Sequence, residues 1–149
     1  MSRESMVDQF HAAFDYMTPT PDHVTISDDA TNGLRIKLLR EELDELSMAL
    51  ENRDPVESID ALCDLQYVLS GAVLALGFNP GFEAAFNAVH QSNMEKLWKS
   101  DEVESAQKSG SELIFKKSSV PNRWIASRAD GKIIKPPSWK KPDLAKFVK

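Results

Sequence analysis

The chain has 149 residues, 42% of them hydrophobic and 28% charged, with a net charge of −5. This is an ordinary globular composition; it excludes a disordered or collagen-like chain, and the length suits one domain with its own core. A single cysteine, Cys63, allows no intrachain disulfide, and the start from Met1 to Asp8 has no apolar signal core, so a reducing, cytoplasmic setting is expected.

In chain order, a first helix is expected from about Ser2 to Met17, with Val7, Phe10, Phe14 and Met17 at helical spacing. Thr18-Pro19-Thr20-Pro21-Asp22 breaks it. A second helix spans about Ala30 to Asn52. A third opens at Asp54-Pro55, where Asp suits the N-cap, Pro the first helical position, and Glu57 the capping-box position. It closes near Gly77-Phe78-Asn79-Pro80. A fourth runs from about Pro80 to Lys99. Beyond it lie Ser109-Gly110-Ser111, two short β-like runs at Glu112–Lys116 and Arg123–Ala126, and the turn Asp130-Gly131. The expected fold is all-α: an antiparallel four-helix bundle over about residues 2–99 with an irregular basic tail over about 100–149, all in one domain, 1–149. The longest uncharged run, Leu65 to Phe82, is broken by Gly71, Gly77, Pro80 and Gly81. Its helical part is too short to span a bilayer and reads as a buried core helix.

Charge is unevenly spread. Residues 1–98 hold six Lys/Arg against 17 Asp/Glu, and residues 99–149 hold 12 against six, so an acidic body carries a basic tail. The tail is either a solvated, soluble segment or the neutraliser of a polyanionic ligand.

On a helical wheel of the second helix, Leu34, Leu38, Leu39, Leu43, Leu46, Ala49 and Leu50 fill one broad arc. Lys37, Arg40, Asp44 and Ser47 fill the wet side. Glu42 and Glu45 fall inside the apolar arc and Glu41 at its edge. The third helix is apolar nearly all round, except for one strip of Glu57, Asp60, Asp64 and Gly71. Carboxylates on apolar faces are costly unless a cation meets them. No Lys or Arg falls on either inner face in this reading, which leaves a divalent metal, and all-oxygen donors suit Mg²⁺ or Mn²⁺. The plainer alternative is a solvated helix surface at Glu41–Glu45 and a helix cap at Glu57. A di-iron bundle is disfavoured, because none of His11, His23 and His90 stands three residues after an inward Glu. Cys63 reads as a small core residue.

Glu41-Glu42-x-x-Glu45 followed by Glu57-x-x-Asp60-Ala61-Leu62-Cys63-Asp64-Leu65-Gln66-Tyr67 resembles the all-α, MazG-like nucleoside triphosphate pyrophosphohydrolases. Val89-His90-Gln91-Ser92-Asn93-Met94-Glu95-Lys96-Leu97 and Asp130-Gly131-Lys132-Ile133-Ile134-Lys135-Pro136-Pro137, closing on Lys141-Pro142-Asp143-Leu144, sharpen the resemblance to the phosphoribosyl-ATP pyrophosphohydrolase-like branch. Ala61 stands where the branch pattern has a Glu, with Asp60 beside it as the substitute carboxylate. The resemblance implies cleavage of a nucleoside triphosphate or related nucleotide to monophosphate and pyrophosphate. It implies Mg²⁺, with Mn²⁺ as a substitute, held by Glu42, Glu45, Glu57, Asp60 and Asp64, and Glu41, Glu42, Glu45 and Glu57 as the catalytic acids. It implies His90, Asn93, Lys96, Lys132 and Lys135 on the substrate's phosphates, and a homodimer or homotetramer. Phe10, Phe14 and Trp98 either stack on a base or belong to the core. The rival reading is a non-catalytic helical nucleotide-binding or assembly module. No membrane association is expected, and a nucleic-acid partner is disfavoured by the acidic body.

Overall fold

The structure is a computed structural model and describes residues 1–16, 24, 26 and 28–148. Its elements are α1 (Arg3–Ala13), α2 (Asp29–Glu51), α3 (Pro55–Ala75), α4 (Asn79–Met94), β1 (Trp98–Lys99), α5 (Ser100–Lys108), β2 (Ile114–Lys117), β3 (Arg123–Ser127) and a 3₁₀ turn (Ala145–Phe147). The backbone groups into two compact units, Met1–Glu83 with Ala145–Lys149, and Ala84–Leu144.

In the first unit α3 packs against both α1 and α2. Three helices therefore pack together there, where four were expected. The helix α1 ends at Ala13 rather than near Met17, and Asp15 follows with φ 56°. Met17 and the breaker Thr18–Asp22 lie outside the described residues. At the head of α2 the Asp28 carboxylate accepts from Thr31 N at 2.9 Å.

The α2–α3 link is the tightest joint in this unit. Arg53 N donates to Leu50 O at 3.1 Å and Asp54 N to Ala49 O at 3.0 Å, with Arg53 at φ 55°. This is a Schellman closure with arginine in the position glycine usually takes. The same Asp54 then caps α3, its Oδ1 accepting from Val56 N at 2.9 Å and Glu57 N at 3.1 Å. One residue thus ends α2 through its N–H and starts α3 through its carboxylate, which folds the two helices back on each other. Gly77, φ 69°, closes α3 in the same way: Gly77 N bonds Leu74 O and Phe78 N bonds Val73 O, both at 3.0 Å.

The reading of α3 as a core helix holds for its last six residues. Ser70 to Ala75 is buried, but Ile59, Leu62, Cys63, Tyr67 and Leu69 before them are exposed. With 21 residues, α3 is long and apolar enough to cross a membrane by length and composition, so the sequence estimate of its reach was too short. Its Asp/Glu strip and its packing on α1 and α2 belong to a helix built into a bundle.

The second unit corrects the expectation of an irregular tail. Its three strands pair antiparallel in the order β1-β3-β2, with Trp98 opposite Trp124 and Phe115 opposite Ala126. The β-like runs foreseen at Glu112–Lys116 and Arg123–Ala126 are β2 and β3. Trp98, Val103 and Ala126 form a small core with Phe115, Leu113 and Ile134 against it, and Trp98 Nε1 donates to Ile134 O at 2.7 Å. Residues 99–149 are net basic, yet they fold. The fourth helix stops at Met94 instead of Lys99, because the chain turns through Lys96 N to Asn93 O and Leu97 N to Met94 O to deliver Trp98 to this core.

Replacing Asp54 by Ala removes the α3 cap while leaving the α2 closure, which uses only backbone. The expected cost is about 1 kcal/mol of stability, measured by urea unfolding.

Candidate functional site

The acid face lies between α2 and α3. Glu42 is half-buried, and its Oε2 is sealed from solvent with no hydrogen-bond donor on it among the described residues. Its pKa is raised first by desolvation, and then by the negative charges of Glu45, Asp64, Glu41 and Asp60. Four other carboxylates of the sequence reading are therefore close enough to act on Glu42. The antiparallel pairing explains this: Glu42 and Glu45, at i and i+3 on α2, are brought beside Asp60 and Asp64 of the α3 strip once Asp54 has set the turn.

Glu57 stands one step further along. It lines a cleft of about 300 Å³ with Glu45, Met48, Ala49, Asn52, Asp54, Asp60 and Ala61. The choice between ligand and cap turns on the Asp54 N–H, the group that a capping-box glutamate would accept. That N–H is already bonded to Ala49 O, and the cap is Asp54 itself. The Glu57 side chain is thus not needed to hold its own helix. Ala61, where the branch pattern has Glu, is a buried packing residue. Glu41 pairs with Lys37 at 3.4 Å along the helix; like Glu45, Glu57, Asp60 and Asp64 it is exposed, so of the acids expected on the inner faces Glu42 alone is partly buried.

These residues suit a divalent metal by donor type, by crowding of like charge and by the orphaned Glu42 oxygen. Among the described residues, however, no three of the His, Cys, Asp and Glu side chains already converge as a ready metal cage.

The expected phosphate contacts belong to the second unit. His90 and Asn93 are exposed on α4, and Lys96 lies in the turn beyond that helix rather than on it, its Nζ donating to Asn93 Oδ1 at 2.8 Å. Lys132 and Lys135 are exposed, with Lys135 Nζ 3.8 Å over the Trp139 ring. Trp98 is 4% exposed and serves the core, so it offers no face to a base.

One inner-face residue escaped the sequence reading. Arg35 is 8% exposed, at the far end of the α2–α3 interface, and its Nε has no acceptor among the described residues. A Cβ at Gly71 would stand 3.1 Å from Arg35 Nη1 and 3.7 Å from His11 Cε1. Glycine at 71 is what lets the guanidinium lie so close to α3, whereas the imidazole would be in ordinary contact with a Cβ there. The signal was available: Arg35 is seven residues before Glu42, which returns a helix to nearly the same face.

The segment 7–93 matches the family model described as phosphoribosyl-ATP pyrophosphohydrolase, and no curated protein matches the chain. The chain belongs to the phosphoribosyl-ATP pyrophosphohydrolase family. That family is part of the MazG-like, all-α nucleoside triphosphate pyrophosphohydrolases, so the resemblance read from the motifs is established. The matched segment holds every candidate acid together with His90 and Asn93; Lys96, Lys132 and Lys135 lie beyond it.

A raised Glu42 pKa has a sign. Ionisation costs the folded chain more than the unfolded one, so metal-free stability falls as pH rises through the Glu42 titration. Glu42→Gln, melted in chelator, should have a higher Tm than the parent at pH 7.5, with the gap closing toward pH 4.

Proposed function

We propose that this family member is a Mg²⁺-dependent hydrolase that cleaves a nucleoside triphosphate or related nucleotide between its phosphates, giving a monophosphate and pyrophosphate. The observation that carries the reading is the sealed, donor-less Glu42 oxygen among four further carboxylates, inside the family-matched segment. A fold does not keep such repulsion for stability, because Gln or Leu would serve packing better.

Mg²⁺, with Mn²⁺ as a substitute, would be held by Glu42, Glu45, Glu57, Asp60 and Asp64, and when bound it supplies positive charge for the phosphate oxygens and acidifies water. The protein's own part is to hold the carboxylates ionised and close, and to take a proton from the attacking water. Two groups can accept that proton. Glu41 is engaged by Lys37, whereas Glu57 lines the cleft with Glu45 and Asp60 and carries no structural duty. Glu57 is the better general base on those grounds. By resemblance rather than by geometry, His90, Asn93, Lys96, Lys132 and Lys135 are assigned to the substrate's phosphates.

Ile36, Leu43, Leu50, Val56, Ile59 and Leu62, on α2 and at the start of α3, are each about half exposed or more. A second copy of this chain is the proposed cover, in a homodimer or homotetramer. Light scattering should then give at least twice the chain mass, and a monodisperse monomer would remove this part of the reading.

Pyrophosphate release across a nucleotide panel tests the activity. Chelator should abolish turnover and Mg²⁺ or Mn²⁺ restore it. Asp64→Asn should lower kcat/KM by about two to three orders of magnitude, in line with losing several kcal/mol of metal-borne stabilisation. Undiminished hydrolysis in chelator, or stepwise loss of single phosphates, would count against the proposal.

A further inference from the structure

A buried arginine at the other end of the same helix pair has no assigned work. Arg35 is more than nine-tenths buried, it is a permanent cation, and its Nε finds no acceptor among the described residues. Burial disfavours its charge, and the group that acts to restore it is the Tyr16 side chain rather than any of the five crowded carboxylates. Glu42, conversely, feels four acids and no relief from Arg35. The cation and the acid face therefore do not neutralise each other, although they share one face of α2, two turns or about 10 Å apart. Beside Arg35 lies His11, itself buried, stacked on Tyr16 at 5.7 Å, and influenced by both Arg35 and Asp8. Gly71 leaves the space that the guanidinium occupies.

We infer that Arg35, with His11 beside it, is the seat for a phosphate group of the substrate, at the opposite end of the α2–α3 face from the carboxylates. A guanidinium presents paired N–H donors that match a phosphate's oxygens, and a buried one with an unused Nε–H is costly until an anion takes it up. Like the hydrolase reading, this places a nucleotide along the acid face: one phosphate would lie by the carboxylates and a second anionic group two helical turns away. That second group is either the far end of a polyphosphate or a phosphate on the sugar. The chemistry is the same, and the probes below separate them.

The test needs no turnover. The chain is titrated in chelator with inorganic tripolyphosphate in one arm and ribose 5-phosphate in the other, following the ring resonances of His11 and of the exposed His90 by NMR. Saturable movement of the His11 signals in either arm, with His90 still, supports the seat, and the arm that responds names the source. A His11 signal that is unmoved in both arms overturns it. In parallel, Arg35→Met removes the charge but keeps the length, and should leave the metal-free chain as stable as the parent or more so. It should weaken probe binding by roughly ten- to a hundredfold, while Arg35→Lys retains part of it. Unchanged probe affinity in Arg35→Met overturns the proposal, and if that variant does not fold, the wild-type titration decides alone. Loss of hydrolysis in Asp64→Asn with His11 still responding keeps the two readings separable.

Discussion

Asp54 holds the ends of two helices at once, its N–H closing α2 on Ala49 O and its carboxylate opening α3 on Val56 N and Glu57 N, and the register of the pair follows from that joint. Once it is set, Glu42 has to share space with Asp64 and Asp60, and Glu45 shares a cleft with Glu57. The negative surroundings of Glu42 therefore follow from the register of the pair. They disfavour the metal-free fold and favour any cation that can reach the face.

The two ends of the pair carry opposite problems. At the Asp54 end there are carboxylates in excess, and at the Gly71 end there is a buried cation whose Nε has no acceptor among the described residues. A fold chosen for stability alone would slide these charges together or replace them. Keeping them two turns apart gives a surface polarised along its length. Such a surface complements a ligand that is itself anionic and brings, or meets, a divalent cation at one end.

Much of this was legible in the residues. The strips Glu42/Glu45 and Glu57/Asp60/Asp64 were visible as acids at helical spacing among leucines, and the motif order named the family. The runs that became β2 and β3 showed as alternating, β-branched and aromatic stretches. The reading went wrong where a choice depended on distant partners. The basic tail was taken as irregular because its core residues, Trp98, Val103 and Ala126, are scattered over 29 positions and meet only in the folded sheet. Trp98 then pulls the chain out of α4 earlier than its helical pattern suggests.

The sequence by itself determined α1 to α4 in outline, the Asp54 cap and the chemistry of the acid strips, because these depend on spacing and side-chain type within one element; it missed α5 inside the basic tail. Only the tertiary structure decided which carboxylates surround Glu42, that the Asp54 N–H goes to Ala49 O and not to a Glu57 capping box, and that Arg35 is buried against Gly71 instead of solvated. The physical reason is that burial and charge coupling are properties of two elements in register. A wheel gives the face of a helix, but not what that face meets.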